Sequence, residues 1–491
     1  MNLKQKPVEV SVALAAPDSQ IQMNPLDNIM RYTLPQHLPD ALFRAYDIRG
    51  DAALMTPDIT YALGRAIASE IRVINECCAV VGRDGRLSSP ALIPHLQAGL
   101  LAGGVDVIDL GVIPSPLMYF GTCTQETQCG VMLTASHNPK HHNGLKIILQ
   151  GKALTFDRLT LLKQRILNQD LSTGQGHYST RDITQSYIEA IVQRTHLKRP
   201  YRVVLDCGHA AGSIIAPQVF EALGCEVIPL FCTIDGNFPI HHPDPSRAEN
   251  LKHLKAAVLE HKADVGFAFD GDADRLGVIC NEGHTIWPDQ QMMLFAQAVL
   301  KQHPNAPIIF DIKCSQHLEH VIEAAGGQPI LWKTGHSLIK AKMRECNAPL
   351  AGEMSGHIFF DTPWYGFDDG IYAGTRFLQY MDDYAASAAM LRETLPYSAS
   401  TPELKIPATE SQKITAMQAL AENLPEGATA NTLDGLRLHF KDGWWLIRPS
   451  NTTAYLTVRL EANSDAALNA LKQHFTHWVQ QTCPELDLSV I

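Results

Sequence analysis

Three stretches of the chain repeat one order of apolar and polar positions: a short apolar run, a polar loop, a helix-like segment and a second apolar run. The first has Ala-Val-Val at 79–81, a helix entered through Ser88, Ser89 and Pro90, and Val-Asp-Val-Ile at 105–108. Serine accepts from the free N–H groups at a helix start, and proline there forfeits no hydrogen bond. Gly103 and Gly104 supply the stop, because glycine enters the left-handed region cheaply. The second stretch runs from Val-Val-Leu at 203–205 through a helix over 214–223, closed by Gly224, to Glu-Val-Ile at 226–228. The third runs from Ile-Ile-Phe at 308–310 through a helix over 316–325, closed by Gly326, to Pro-Ile-Leu at 329–331. Strand–helix–strand units build mainly parallel sheets through right-handed crossovers. Units this far apart predict three related α/β domains with mixed, largely parallel sheets, not a short-period solenoid.

The end of the chain is patterned differently. Residues 436–440 alternate, 441–443 read Lys-Asp-Gly, and 444–447 return as Trp-Trp-Leu-Ile, which predicts a hairpin. A helix-like run over 466–479 follows, so the fourth domain is α+β. Pro, Ser and Thr thicken between Pro396 and Pro407, where a linker is expected. The expected division is an N-terminal extension at 1–39 and domains at 40–183, 184–284, 285–396 and 397–491.

Composition narrows the function classes. Lys and Arg number 40 against 51 Asp and Glu, a formal charge of −11, which disfavours nucleic acid and anionic membrane as partners. Eleven cysteines are scattered without a CxxC, so neither a zinc site nor a disulfide framework is implied, and buried thiols in a reducing cytoplasm are expected. The charge-poor stretch 87–105 contains Pro90, Pro94 and His95 and reads as a soluble helix. Lys4 and Lys6 before the apolar 10–16 sketch a signal peptide, but Pro7 and Glu9 interrupt it, and a loosely ordered extension is expected instead.

Four polar constellations each follow an apolar run or lie between two. Thr-Ala-Ser-His-Asn-Pro-Lys at 134–140 follows the apolar 130–133 and precedes Gly144 and Lys146, placing Ser136 in a loop at a strand end. Parallel sheets present reactive groups there. A serine hydroxyl needs a neighbouring base or cation to react, and His137 and Lys146 are at hand. A plain turn would explain this fragment taken alone. Asp270, Asp272 and Asp274 alternate in Phe-Asp-Gly-Asp-Ala-Asp-Arg at 269–275. Carboxylates at that spacing fold around a hard cation, and without one they repel. Arg275 and Asn281 stand at positions six and twelve, so this is no calcium hand; magnesium, which shares its shell with phosphate, suits it. Gly-Glu-Met-Ser-Gly-His at 352–357 offers Glu353, Ser355 and His357 to hydroxyls. Arg-Pro-Ser-Asn-Thr-Thr at 448–453 joins arginine, hydroxyls and turn amides into an anion nest.

In this order the four motifs, with Phe-Arg-Ala-Tyr-Asp-Ile-Arg-Gly at 43–50, resemble the α-D-phosphohexomutases, nearest their bacterial bifunctional phosphomannomutase/phosphoglucomutase branch. The resemblance covers about residues 42–491 and implies four domains around a central cleft, each giving one motif. It implies a phosphorylated Ser136, Mg²⁺ held by Asp270, Asp272, Asp274 and the serine phosphate, and sugar hydroxyls held by Glu353, Ser355 and His357. Arg448, Ser450, Asn451 and Thr452 would hold the phosphate that does not react. Lys146, His336 and Arg49 match catalytic positions, and Tyr46, Arg275 and Lys313 further substrate-binding ones. The implied activity interconverts mannose or glucose 1- and 6-phosphates, primed by a hexose 1,6-bisphosphate, in a cytoplasmic monomer or weak oligomer. The first forty or so residues depart from the family's short start. Phosphoglucosamine mutase is the nearest rival, which Met354 argues against; a metal-dependent sugar phosphatase and a non-catalytic sensor are more distant.

Overall fold

The computed structural model describes residues 32–44, 47–154, 156–450 and 454–491. Most of the expected extension, and Tyr46, Asn451 and Thr452 among the expected site residues, lie outside them. Residues 32–39 are not loose: Tyr32 stacks on Tyr61 with ring centres 3.9 Å apart, and Leu38 is buried.

Among the described residues the chain forms four sheets. In the first, Asp106–Val112, Cys78–Arg83 and Gly130–Leu133 run parallel, and His142–Leu149 and Ile48–Asp51 add antiparallel at one edge. The second aligns Glu226–Leu230, Arg202–Asp206 and Val265–Phe269 in parallel, then adds Leu276–Cys280 and Thr285–Ile286 antiparallel, the last strand lying just beyond residue 284. The third repeats the plan with Gln328–Trp332, Pro307–Asp311 and Leu350–Gly352 parallel and Ile358–Phe360 antiparallel. In each, a parallel strand ends at a polar loop and the chain returns antiparallel, so the loop projects from the sheet's end.

The helix stops carry the expected geometry with one shift. Gly104, Gly224 and Gly326 sit at φ +80°, +80° and +79°, whereas Gly103 stays right-handed at −82°. The helix expected over 214–223 is shorter, Ala216–Ala222, after a separate 3₁₀ turn at Ala211–Ile214. Pro217 fits only the first turn of a helix, so it fixes the start there.

The fourth sheet is antiparallel throughout, with Leu436–Phe440 and Gly443–Pro449 forming the expected hairpin. The expected linker is partly sheet: Ala399–Ser400 and Leu404–Pro407 both pair with Tyr455–Ala462. That eight-residue strand has a second edge, whose N–H and C=O groups these segments satisfy. One apolar core runs through the first three units, joining Val80, Phe120, Phe267, Phe310 and Trp364. The fourth has its own core around Trp445, Phe475 and Trp478, and meets the third through the small cluster of Ile312, Trp444 and Leu446. No described helix is long and apolar enough to cross a membrane.

Candidate active site

The four sheet ends face one cleft of about 640 Å³, within the size usual for small-molecule sites. Its walls include Arg49, Ser136 and Lys146 from the first unit, Arg275 from the second, Lys313, His336, Glu353, Ser355 and His357 from the third, and Arg448 and Ser450 from the fourth. Every expected site residue that is described lies on this wall or, for the three aspartates, in the loop that touches Ser136.

Ser136 is held at φ +49° and almost wholly buried. Its loop is built on Arg86, a fully buried guanidinium that donates to the carbonyls of Ser136 (2.6 Å), Asn138 (2.7 Å), Pro139 (2.7 Å) and His142 (3.0 Å). Asp84 balances its charge at 3.2 Å. The serine hydroxyl donates to Asp270 Oδ2 at 2.7 Å and shares a 3.0 Å hydrogen bond with His137 Nδ1. Burial, with Arg275 and Arg49 nearby, lowers the His137 pKa well below the ordinary histidine value. The metal-type loop presses so closely on the serine loop that a Cβ on Gly271 would stand 2.2 Å from the Ser136 carbonyl oxygen. Only glycine fits there.

Asp270, Asp272 and Asp274 are fully buried, with a ligand oxygen of each within 4.8 Å of the others. Lys146 Nζ donates to Asp272 Oδ2 at 2.6 Å and to Asp274, and Ser115 donates to Asp272 at 2.5 Å. Lys146 therefore serves the carboxylates, while His137 is the neighbour hydrogen-bonded to the serine. Burial, with Asp274 and Asp272 alongside, pushes the Asp270 carboxyl well above the usual carboxylate range. Burial works the same way on Asp272, but the Lys146 ammonium outweighs it and holds that carboxyl low. Asp272 Oδ1 and Asp274 Oδ1 are buried with no hydrogen-bond partner. Orphaned acidic oxygens converging beside a serine fit a hard divalent cation.

Across the cleft, Glu353 accepts from Gly335 N–H and Ser355 Oγ, both at 2.8 Å. His336 opens the helix His336–Cys346, and its ring lies 5.6 Å from that of His357, centre to centre. Burial and the Lys340 charge lower the His336 pKa well below its ordinary value. Lys313 pairs with Glu403 at 3.0 Å, a link from the third unit to the fourth. Arg448 pairs with Asp434 at 3.1 Å, and Asp434 also accepts from Thr334 N–H at 3.0 Å. Arg49 donates to Asp47 and, at 3.3 Å, to Asn138.

Sequence reasoning missed Arg86, Asp434, Glu403 and Asp368. Arg86 had a signal, since Arg-Asp-Gly-Arg at 83–86 leaves a strand at the same sheet end as Ser136. The three acids act through partners remote in the chain and had none.

Comparison with known proteins decides the family. Four family models, the phosphoglucomutase/phosphomannomutase alpha/beta/alpha domains I, II and III and the C-terminal domain, match residues 40–172, 185–283, 287–397 and 403–477. The chain belongs to the phosphoglucomutase/phosphomannomutase family. Similar members include a phosphomannomutase/phosphoglucomutase of Pseudomonas putida, 46% identical over 94% of this chain and all of that one. A phosphoglucomutase of Neisseria gonorrhoeae is 44% identical over 88% of this chain and 95% of its own length. The crystal structure of a family protein from Burkholderia thailandensis superposes with a TM-score of 0.87 at 43% identity, covering 92% of this chain and 99% of that one. The mixed-sheet phosphohexomutase fold implied by the four motifs is thus the fold of this chain.

Proposed function

We propose that this chain is a phosphomannomutase/phosphoglucomutase, an isomerase that interconverts hexose 1-phosphates and 6-phosphates through phospho-Ser136 and a hexose 1,6-bisphosphate. The observation that carries the reading is Ser136 Oγ, 2.7 Å from Asp270 at one wall of a cleft whose other walls hold Glu353, His357 and Arg448. In the forward step the Oγ–P bond breaks, a new P–O bond forms to the free sugar hydroxyl, and that hydroxyl loses its proton. His336, on the cleft wall at the start of the helix His336–Cys346, is placed to take that proton. The bisphosphate then turns end over end, and its other phosphoryl group returns to Ser136. A hexose 1,6-bisphosphate in solution primes an unphosphorylated serine by the reverse step.

Phosphoryl transfer needs positioning and charge neutralisation above all. Lys146, Arg49, Arg275 and Lys313 supply positive charge inside the cleft. Mg²⁺ held by Asp270, Asp272 and Asp274 would polarise the serine-bound phosphoryl oxygens and offset their charge. Glu353, Ser355 and His357 would grip sugar hydroxyls, with Arg448 and Ser450 on the phosphate that does not react. Tyr46, Asn451 and Thr452 would complete these contacts. All these groups come from one chain, which suits a monomer or weak oligomer, and hexose phosphates as substrates suit a cytoplasmic enzyme.

Because both ends of the sugar must visit one phosphate nest in turn, Arg448→Ala should weaken 1-phosphates and 6-phosphates alike. The lost charge-assisted contact is worth about 1.5–3 kcal/mol, or roughly one to two decades in affinity. Binding measured for both isomers of glucose and mannose phosphate checks this. A loss confined to one isomer would refute the shared nest. Coupled assays on mannose, glucose and glucosamine 1-phosphates, with phosphate release followed in parallel, separate a mutase from a phosphatase.

A further inference from the structure

Asp368 is fully buried behind the cleft and is not among its wall residues. Its backbone is fixed on both sides. It bridges to Phe359 in the third sheet, and the next residue, Asp369, caps the helix Gly370–Asp383 by accepting from Tyr372 N–H at 2.9 Å. One carboxylate oxygen, Oδ1, is anchored by Lys340 Nζ at 2.7 Å, and that ammonium in turn lies 4.2 Å from the centre of the Tyr119 ring. The other oxygen, Oδ2, stands 3.0 Å from His357 Nδ1. On the far side of the imidazole, Arg275 Nε donates to His357 Nε2 at 3.0 Å.

The arginine settles the tautomer. A guanidinium N–H always donates, so Nε2 must offer its lone pair and a neutral ring carries its hydrogen on Nδ1. Nδ1 then stands 3.0 Å from Asp368 Oδ2 and 3.5 Å from Asp274 Oδ1, close enough for charge contact but off the line of a full hydrogen bond, and all three atoms are buried. Asp274, His357 and Asp368 have the spacing of a three-ligand cation site. A nitrogen that carries hydrogen is no ligand, however, so the geometry speaks for orientation and against a second metal.

We propose that Asp368 is a positioning residue for the transfer site: it holds His357 in the Nδ1–H form and, through His357, holds Arg275 beside the serine and its carboxylate. Arg275 Nε lies 3.9 Å from Asp270 Oδ2, the oxygen that accepts from Ser136. Arg275 and His357 are also bridged through their backbones, so the two side chains are presented together. The chain of contacts runs from Asp368 through His357, Arg275 and Asp270 to Ser136, and it ties the sugar-binding loop of the third unit to the acidic loop of the second. This rests on the mutase reading above for its consequence in turnover, but not for the contact itself.

The test uses the full chain labelled with ¹⁵N in histidine. The His357 ring resonances, assigned by their loss in His357→Gln, should show Nδ1–H in the wild type. In Asp368→Asn the amide keeps its oxygen on Lys340 and turns an N–H₂ donor to the ring. The tautomer should therefore switch to Nε2–H, which opposes the Arg275 donor. Turnover should fall by about 10–100-fold, the usual loss when an orienting partner is removed. The loss should be non-additive, because groups that act as a unit do not add. In the His357→Gln background, Asp368→Asn should cost less than about twofold further. An Nε2–H ring in the wild type would overturn the proposal without the Asp368 variant, so failure of Asp368→Asn to fold leaves it decidable. Full additivity of the two substitutions would overturn it as well. A tautomer switch in a protein whose wild type lacks mutase turnover would uphold the contact and sink the functional reading.

Discussion

Ser136→Ala is expected to lower turnover on glucose and mannose 1-phosphates by about 10³-fold or more, the scale on which loss of a nucleophile acts. Purified wild-type protein should correspondingly carry phosphate on Ser136. Other hydroxyls line the cleft, among them Ser355 and Thr401. Ser355 donates to Glu353 at 2.8 Å and Thr401 accepts from Leu460 N–H at 3.0 Å, so both are committed elsewhere. Ser136 alone among them contacts the acidic loop, with its oxygen aimed by a left-handed backbone that Arg86 clamps through four carbonyl contacts. Peptide mapping of active protein tests the position, and kinetics with and without added bisphosphate test the role. A residual rate in Ser136→Ala that rises with bisphosphate fits direct use of that intermediate. Phosphate on another residue of active enzyme, or full turnover by the alanine variant, would remove Ser136 from the mechanism.

How much of this was written in the chain follows from the range of each interaction. Strand–helix–strand units were legible because apolar runs, prolines in the first turn and glycine stops act within a few positions, although Ser88, expected to cap, makes no side-chain cap hydrogen bond. The four loops were legible because each crowds several chemically committed residues into six or seven positions behind an apolar strand. Boundaries set by distant partners were not. The segment after Pro396 reads as a linker by composition, yet Leu404–Pro407 pairs with a strand more than forty residues on, whose open edge must be satisfied. Asp368 carries no signal in the sequence; only folding shows that Asp369 caps a helix while its neighbour turns to Lys340 and His357. Arg86 and Lys146 illustrate the same limit from the other side. Their charges are visible in the sequence, but the carbonyls and carboxylates that give those charges a purpose come from other loops.

Stripping divalent cations should abolish turnover, and Mg²⁺ should restore it. The argument is one of charge. Asp270, Asp272 and Asp274 are buried together, and among the described residues Lys146 and Arg275 are the lysine and arginine paired with them. That leaves the cluster short of neutrality before any substrate arrives, and burial already drives Asp270 toward its protonated form. Phosphorylating Ser136 adds roughly −1.5 to −2 charge on an oxygen 2.7 Å from Asp270 Oδ2. Like charges that close repel unless one is protonated or a cation lies between them, and a cation is what lets the carboxylate and the phosphate both stay charged. The effect should also be readable without turnover. Mg²⁺ at a hundredfold its Kd should raise the stability of the folded enzyme by about 2.7 kcal/mol, seen as a shift of the thermal transition. Asp272→Asn removes one acidic ligand and one of the two carboxylate partners of Lys146, so both the shift and the activity should be largely lost. Cation-dependent stabilisation that persists unchanged in Asp272→Asn would place the ion elsewhere. Full activity of that variant after exhaustive chelation would show that the three aspartates do something other than hold a metal.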